Sequence, residues 1–167
     1  MPLRLILTRH AKSSWSDPLM EDHARPLNLR GRSAATAVGG WLAAKGYRPD
    51  LALVSTSERT RETWARISAA FDDPPEAEFA PTLYHAEPEV MLTVLRKATA
   101  PRIMMIGHNP GTAYFAQAIA IDAPNDTRYA RFPTAATVVV DFDQDDWSKL
   151  TWRDGRIVDY VFARDLD

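Results

Sequence analysis

Three arginines and three histidines stand in four short segments that follow apolar runs. The segments are Leu7-Thr8-Arg9-His10-Ala11-Lys12-Ser13, Ser55-Thr56-Ser57-Glu58-Arg59-Thr60-Arg61-Glu62-Thr63, Leu83-Tyr84-His85-Ala86-Glu87 and Ile106-Gly107-His108-Asn109-Pro110-Gly111. Arginine carries a permanent charge on a planar fork that matches phosphate oxygens two at a time. Histidine can donate a proton, accept one or attack an electrophile near neutral pH. Brought to one sheet edge, these segments make a pocket of two arginines, Arg9 and Arg59, and two or three histidines, and such a pocket favours an anion. Each segment also has a plainer explanation. Arg9-His10 alone could be polar residues at a strand end. Gly107, Asn109 and Pro110 suit a turn, a cap and a helix start, which leaves only His108 unexplained. The segment around Arg59 could be a solvated helix face, with Glu62 paired to Arg59 or Arg66 and Glu58 to Arg61. His23 lies in a polar loop and reads as a surface residue. The histidines match no H-x-x-E-H or H-x-H spacing, and Arg9 would repel a cation beside His10, so no metal is expected. No G-x-S-x-G is present to suggest a serine nucleophile.

The elements that must position these residues alternate between strand and helix. Leu3–Thr8 is nearly continuous apolar sequence, as in a strand covered on both faces. Asn28 caps a helix predicted to run to Lys45, and Gly46 suits its end. Leu51–Val54 reads as a second strand and Ser57–Phe71 as a helix stopped by Asp72-Asp73-Pro74-Pro75. Ala77–Ala80 is a short strand, and Pro88 opens a helix to Ala98. Ile103–Ile106 is a third buried strand, and Pro110 opens a helix to Ile121. Ala136–Phe142 is a β-branched strand. Lys149–Trp152 and Arg156–Phe162 flank Asp154-Gly155, the signal of a terminal hairpin. The conformation of Asp122–Ala135 is not legible. The alternation predicts an α/β fold, a three-layer α/β/α sandwich with a mostly parallel central sheet. Ligands in such folds sit beyond the carboxyl ends of the strands, where all four segments fall.

Composition narrows the classes further. A chain of 167 residues, 46% hydrophobic and 25% charged, predicts one globular domain over residues 1–167. The net charge is −2 and no basic block stands out, so a broad nucleic-acid surface is not expected. Cysteine is absent, which removes disulfides, thiolate nucleophiles and cysteine-bound metals. No signal peptide or membrane span is read, and a cytoplasmic monomer is the default expectation.

Together the four segments resemble the histidine phosphatase superfamily, with its phosphoglycerate-mutase-like fold. Arg9-His10-Ala11 stands where an R-H-G motif is usual, with alanine for glycine. Ser55 to Thr63 is similar to S-P-x-x-R-A-x-Q-T, with Thr56 for proline. Gly107-His108-Asn109-Pro110 matches the G-H-N motif. Asp22-x-x-Arg25-Pro26-Leu27-Asn28-x-x-Gly31 resembles the short SixA-type phosphohistidine phosphatase branch, as do Leu83-Tyr84, Phe132-Pro133-Thr134 and the C-terminal segment. The resemblance implies that His10 is the nucleophile, that Arg9 and Arg59 hold the phosphoryl oxygens and that His108 is the second histidine. It implies no cofactor. Lys12, Ser16 and Asn109 become candidate phosphate contacts, Ser16 because it stands where the mutases have asparagine. Asp22 and Arg25 read as a structural pair holding the loop before the Asn28 helix.

One departure bears on the substrate. Where relatives place an acidic residue that protonates the leaving oxygen, the alignment puts His85, with Glu87 two residues on; these are the candidate general acids. An alkoxide needs a proton to leave, whereas imidazole has a conjugate acid of pKa ~6.5 and leaves far more easily. The short Pro81–Pro88 connection leaves no room for a lid. The expectation is a metal-independent phosphohistidine phosphatase acting through a phosphohistidine intermediate, with a histidine-phosphorylated carrier protein or a small phosphorylated molecule as its partner. The alternatives are a small-molecule phosphomonoesterase and a non-catalytic phospho-ligand binding module.

Overall fold

Leu3, Leu5 and Leu7 pack on one side of the first strand and Ile6 on the other, and both sides are buried. A computed structural model describes residues 2–167. The strands are β1 (Leu3–Arg9), β2 (Leu51–Ser55), β3 (Glu76–Ala80), β4 (Arg102–Gly107), β5 (Thr137–Phe142) and β6 (Gly155–Val161). They form one sheet in the order β3-β2-β4-β1-β5-β6. β3, β2, β4 and β1 run parallel; β5 and β6 are antiparallel additions. The helices are α1 (Leu29–Lys45), α2 (Glu58–Ser68), α3 (Pro88–Arg96), α4 (Gly111–Ala118) and α5 (Thr127–Arg131). Val38, Leu42, Trp64 and Ile67 of α1 and α2 cover one face, against Ile6, Val54 and Ile106. Leu92, Leu95, Phe115 and Tyr129 of α3, α4 and α5 cover the other, against Leu5, Leu7 and Met105. The fold is therefore the three-layer sandwich that the strand–helix alternation predicts. Among the described residues no helix is long and apolar enough to cross a membrane.

Local chemistry starts the helices where the sequence suggests. Asn28 accepts a hydrogen bond from the Gly31 amide at 2.7 Å, and Gly46 closes α1 at φ 75°. Ser57 caps α2, and Pro88 stands at the start of α3. Two glycines let helices approach the loops that hold the site. A Cβ on Gly31 would lie 2.0 Å from the Lys12 carbonyl oxygen, and one on Gly111 would lie 1.9 Å from that of Ala86. The first contact seats α1 on the turn after His10; the second seats α4 on the turn after His85.

The terminal hairpin is not as the sequence suggests. Residues 147–149 form a 3-10 turn, and β6 pairs with β5 instead of with Lys149–Trp152. Trp147 and Leu150 are buried, and the Trp147 indole donates to the Ala100 carbonyl at 2.7 Å. Burial of these two side chains holds the segment against the core, so it does not turn back as a strand. Gly155 opens β6 because a side chain there would meet Val140 at 2.4 Å. The expected helix ends at Phe71, Ala98 and Ile121 fall instead at Ser68, Arg96 and Ala118. The short α5, capped by Asp126, lies in the segment that could not be read.

The close approaches have a measurable consequence. Gly31→Ala and Gly111→Ala should each lower unfolding stability by about 1–3 kcal/mol. Gly40→Ala, in the same helix as Gly31 but with nothing within 4 Å of its added Cβ, should be neutral or stabilising by about 0.5–1 kcal/mol. Urea midpoints of the three variants give the comparison.

Candidate active site

The carboxyl ends of β1, β2 and β4, with the connection after β3, surround a cavity of about 320 Å³. Arg9 ends β1 beside Gly107 of β4, and the His10 amide donates to the Gly107 carbonyl at 3.0 Å. His10 is buried. Its Nδ1 lies 2.6 Å from the Ala11 carbonyl oxygen, which can only accept, so Nδ1 carries the proton and Nε2 keeps its lone pair. The Ala11 amide in turn donates to Thr63 Oγ1 at 3.0 Å, and that hydroxyl donates to the Arg59 carbonyl at 2.7 Å. Ala11 has no left-handed backbone and is fully buried, so alanine fills this position without strain.

His108, also buried, holds Nε2 2.8 Å from Ser55 Oγ, and its ring centroid is 5.3 Å from that of His10. Both imidazoles are kept neutral. Burial, followed by the charges of Arg9, Arg59 and Arg25, pushes His10 down to about 3 despite its bond to Ala11. Burial, followed by His10, Arg59 and His85, pushes His108 down to about 2. Arg59 is 2% exposed, and Arg9 is itself lowered by burial and by the charge of Arg59. Among the described residues, the buried side-chain nitrogens or oxygens without a hydrogen-bond partner are Arg9 Nε, Arg59 Nε and His108 Nδ1. Unsatisfied buried polar atoms are costly, and here all three belong to residues that line one cavity. Two guanidinium groups and a neutral imidazole around a second neutral imidazole suit a bound anion whose central atom is electrophilic.

Asp22 has a larger place than the sequence suggests. It does pair with Arg25, at 2.9 Å. Its other carboxylate oxygen accepts from Arg59 Nη2 at 2.9 Å, lies 3.0 Å from His85 Nε2 and accepts from the Tyr84 hydroxyl. Its backbone carbonyl accepts from Arg59 Nη1 at 2.7 Å. Burial works against the charge, but the hydrogen bonds from Tyr84, Arg25, Arg59 and His85 outweigh it and hold the carboxyl well below the usual carboxylate range. The D-x-x-R spacing was the only sequence signal, and it pointed to Arg25 alone.

The remaining candidates divide. His85, at φ 52°, lines the cavity with its ring 5.0 Å from that of His108. Glu87 does not line it: it is exposed at the start of α3, because the chain turns outward after Ala86 packs on Gly111. Ser16 is likewise displaced, bonded to Ser14 on an exposed loop, and Ser13 lines the cavity instead. Lys12 lies on the rim. Asn109 lines the cavity, but its amide nitrogen donates to the Arg131 and Phe132 carbonyls at 2.9 and 3.0 Å, and its oxygen caps Ala113. His23 is exposed and meets the hydroxyl of Thr56, the residue in place of the motif's proline, at 2.9 Å. Glu62 does not pair along its own helix; it crosses to Arg32 at 2.9 Å and to the Leu27 amide, tying α2 to α1.

The neutral histidines make stability depend on pH. Below their ordinary value of about 6.5 the unfolded chain takes up protons that the folded site refuses. Their contribution is fully present above about pH 6.5 and is lost as pH falls toward about 3. At about pH 5 each histidine should cost about 2 kcal/mol relative to neutral pH. His108→Gln should remove about that much of the loss, read as the difference in urea midpoint shifts between wild type and variant.

Comparison with known proteins bears on the family and the fold. Residues 5–83 match the model of the histidine phosphatase superfamily (branch 1). An uncharacterized chloroplastic protein of Arabidopsis thaliana is 39% identical over 119 residues, 65% of this chain; the chain spans about half, 55%, of that protein. An uncharacterized protein of Mycobacterium tuberculosis is 34% identical over 139 residues, covering 79% of this chain and 85% of the relative. The crystal structure of a protein assigned as the phosphohistidine phosphatase SixA of Agrobacterium tumefaciens superposes with a TM-score of 0.80 at 29% identity, covering 97% of this chain and 99% of the other. The chain belongs to the histidine phosphatase superfamily, and within it to the short SixA-type branch of phosphatases.

Proposed function

We propose that the chain is a phosphohistidine phosphatase that works through phosphorylated His10. The observation that carries this reading is the bond from His10 Nδ1 to the Ala11 carbonyl in a neutral, buried ring flanked by Arg9 and Arg59. That bond leaves Nε2 as the only nucleophilic atom of the ring and aims it without any proton transfer. Arg9 and Arg59 balance the phosphoryl charge, so the chemistry needs positioning and charge compensation from side chains already in place.

In the first step His10 Nε2 attacks phosphorus, and the bond from phosphorus to the substrate's imidazole nitrogen breaks. The leaving imidazole takes a proton from His85, which Asp22 orients. In the second step water attacks the phosphorus of phospho-His10, gives a proton back to His85 and releases inorganic phosphate. His108, its Nε2 held by Ser55, stands beside His10 as the second histidine of the site. Glu87 has no part, since it stands outside the cavity. A histidine as the proton donor matches an imidazole leaving group better than an alkoxide. The open cavity favours a phosphohistidine on another protein, which makes a histidine-phosphorylated carrier the expected partner. Arg9, His10, Arg59 and His108 act without a metal or cofactor in this scheme.

Values of kcat/KM for a phosphohistidine-bearing carrier protein and for p-nitrophenyl phosphate, both in EDTA, test the proposal. A strong preference for phosphohistidine is expected. Equal or reversed preference would make the chain a small-molecule phosphomonoesterase, and turnover of neither would make it a binding module. His10→Ala should abolish both activities, by more than about 10³-fold, with thermal stability retained. His85→Gln should lower kcat on phosphohistidine by about 10²-fold and on p-nitrophenyl phosphate by far less, because nitrophenolate leaves without a proton.

A further inference from the structure

A second concavity, of about 450 Å³, adjoins the first: Lys12 and Thr134 line both. Its rim carries Lys12 after β1, Arg30 in the first turn of α1, Arg131 at the end of α5 and Arg164 after β6. Among the described residues none of these four cations forms an ion pair. The nearby carboxylates are few. Asp126 and Asp165 are both taken by Arg128, whose guanidinium lies 4.4 Å over the Phe162 ring and forms one wall. Asp167 is the remaining acidic residue of the rim. In a chain of net charge −2, unpaired positive charge on one wall is a local excess that composition conceals. Arg30 also stands where the α1 dipole disfavours a cation, with no acidic residue in that turn to offset it. This arrangement costs stability and so points to an external anion.

The character of the groove selects the class of ligand. Every charged lining residue is exposed, and no polar lining residue is buried. Small-molecule sites instead enclose their ligand and converge a few fixed polar groups on it. Exposed long cations around an open floor suit the acidic surface of a macromolecule, where they raise encounter rate and set orientation. The groove exposes no aromatic face for stacking bases, since Phe162 is buried, which favours a protein over a single-stranded nucleic acid. We infer that this groove docks an acidic segment of the phosphorylated partner protein, adjacent to the side chain that enters the cavity at His10. The inference rests on the phosphohistidine reading for the identity of that partner, but the docking itself is testable without it.

The probe is a fluorescently labelled peptide with aspartate and glutamate flanking an unphosphorylated histidine. A matched peptide with neutral flanks is the reference. At about 50 mM salt the acidic peptide should bind about tenfold tighter, and the difference should shrink at about 500 mM. The combined variant Arg30→Glu, Arg131→Glu, Arg164→Glu should lose the preference while hydrolysing p-nitrophenyl phosphate at the wild-type rate. Equal binding of the two peptides by wild type, or a preference that survives in the variant, overturns the inference. So does an oligonucleotide of similar length that outcompetes the acidic peptide in wild type and fails to bind the variant. Phosphorylated forms of both peptides separate the two claims. Charge-dependent binding without hydrolysis of phosphohistidine would sink the proposed function and leave the groove intact.

Discussion

The turn after β1 is the constraint on which the site depends. Within it His10 Nδ1 reaches only one residue along, to the Ala11 carbonyl, and that contact sets both the ring's orientation and its tautomer. A bond this local would be soft if the turn itself could move. It is held by the Gly107 carbonyl on the His10 amide, the Thr63 hydroxyl on the Ala11 amide and the backbone of α1 pressed against Lys12 through Gly31. Three elements distant in sequence therefore clamp three consecutive residues, His10, Ala11 and Lys12. The stiffness is of the kind that phosphoryl transfer needs, because small errors in placing a nucleophile cost large factors in rate.

Charge is managed on two scales. Inside the cavity the guanidinium groups of Arg9 and Arg59 sit with the imidazoles of His10 and His108, and the arrangement is tolerable because these two imidazoles stay neutral. Asp22 supplies the compensating negative charge from the loop between β1 and α1, and shares it among Arg25, Arg59, Tyr84 and His85. One carboxylate thus links Arg59, proposed to hold the phosphoryl group, to the proposed proton donor His85. Outside the cavity the positive excess continues along the neighbouring groove, where Lys12, Arg30, Arg131 and Arg164 have no such partner. A nearly neutral chain can carry a strongly directional field when its acidic residues are spent in pairs elsewhere, as Asp141 is on Arg4 and Asp50 on Arg102.

The departures from the family motifs have simple physical outcomes. Alanine at position 11 is accommodated because its backbone is not left-handed, and its methyl group is buried in the core cluster under α1 and α2. Threonine at position 56 places a hydroxyl under His23. The missing acid after β3 is the departure with chemical weight, since it leaves a histidine, His85, in the position proposed to supply the proton.

The sequence by itself determined the sandwich, the helix starts at Asn28, Ser57 and Pro88, and the gathering of Arg9, His10, Arg59 and His108 at one sheet edge. Apolar periodicity and capping are local, and the four segments follow strands whose carboxyl ends share one edge. The tertiary structure alone decided what depends on contacts between distant segments. Asp22 meets His85 across 63 positions of chain, a distance no spacing rule reaches. Glu87 and Ser16 left the site because Gly111 and the Ser14 loop direct the backbone outward, and the expected hairpin gave way to the burial of Trp147 and Leu150. The basic groove was invisible for the same reason: its four cations are scattered over the chain and become neighbours only when α1, α5 and the segment after β6 pack around the end of the sheet.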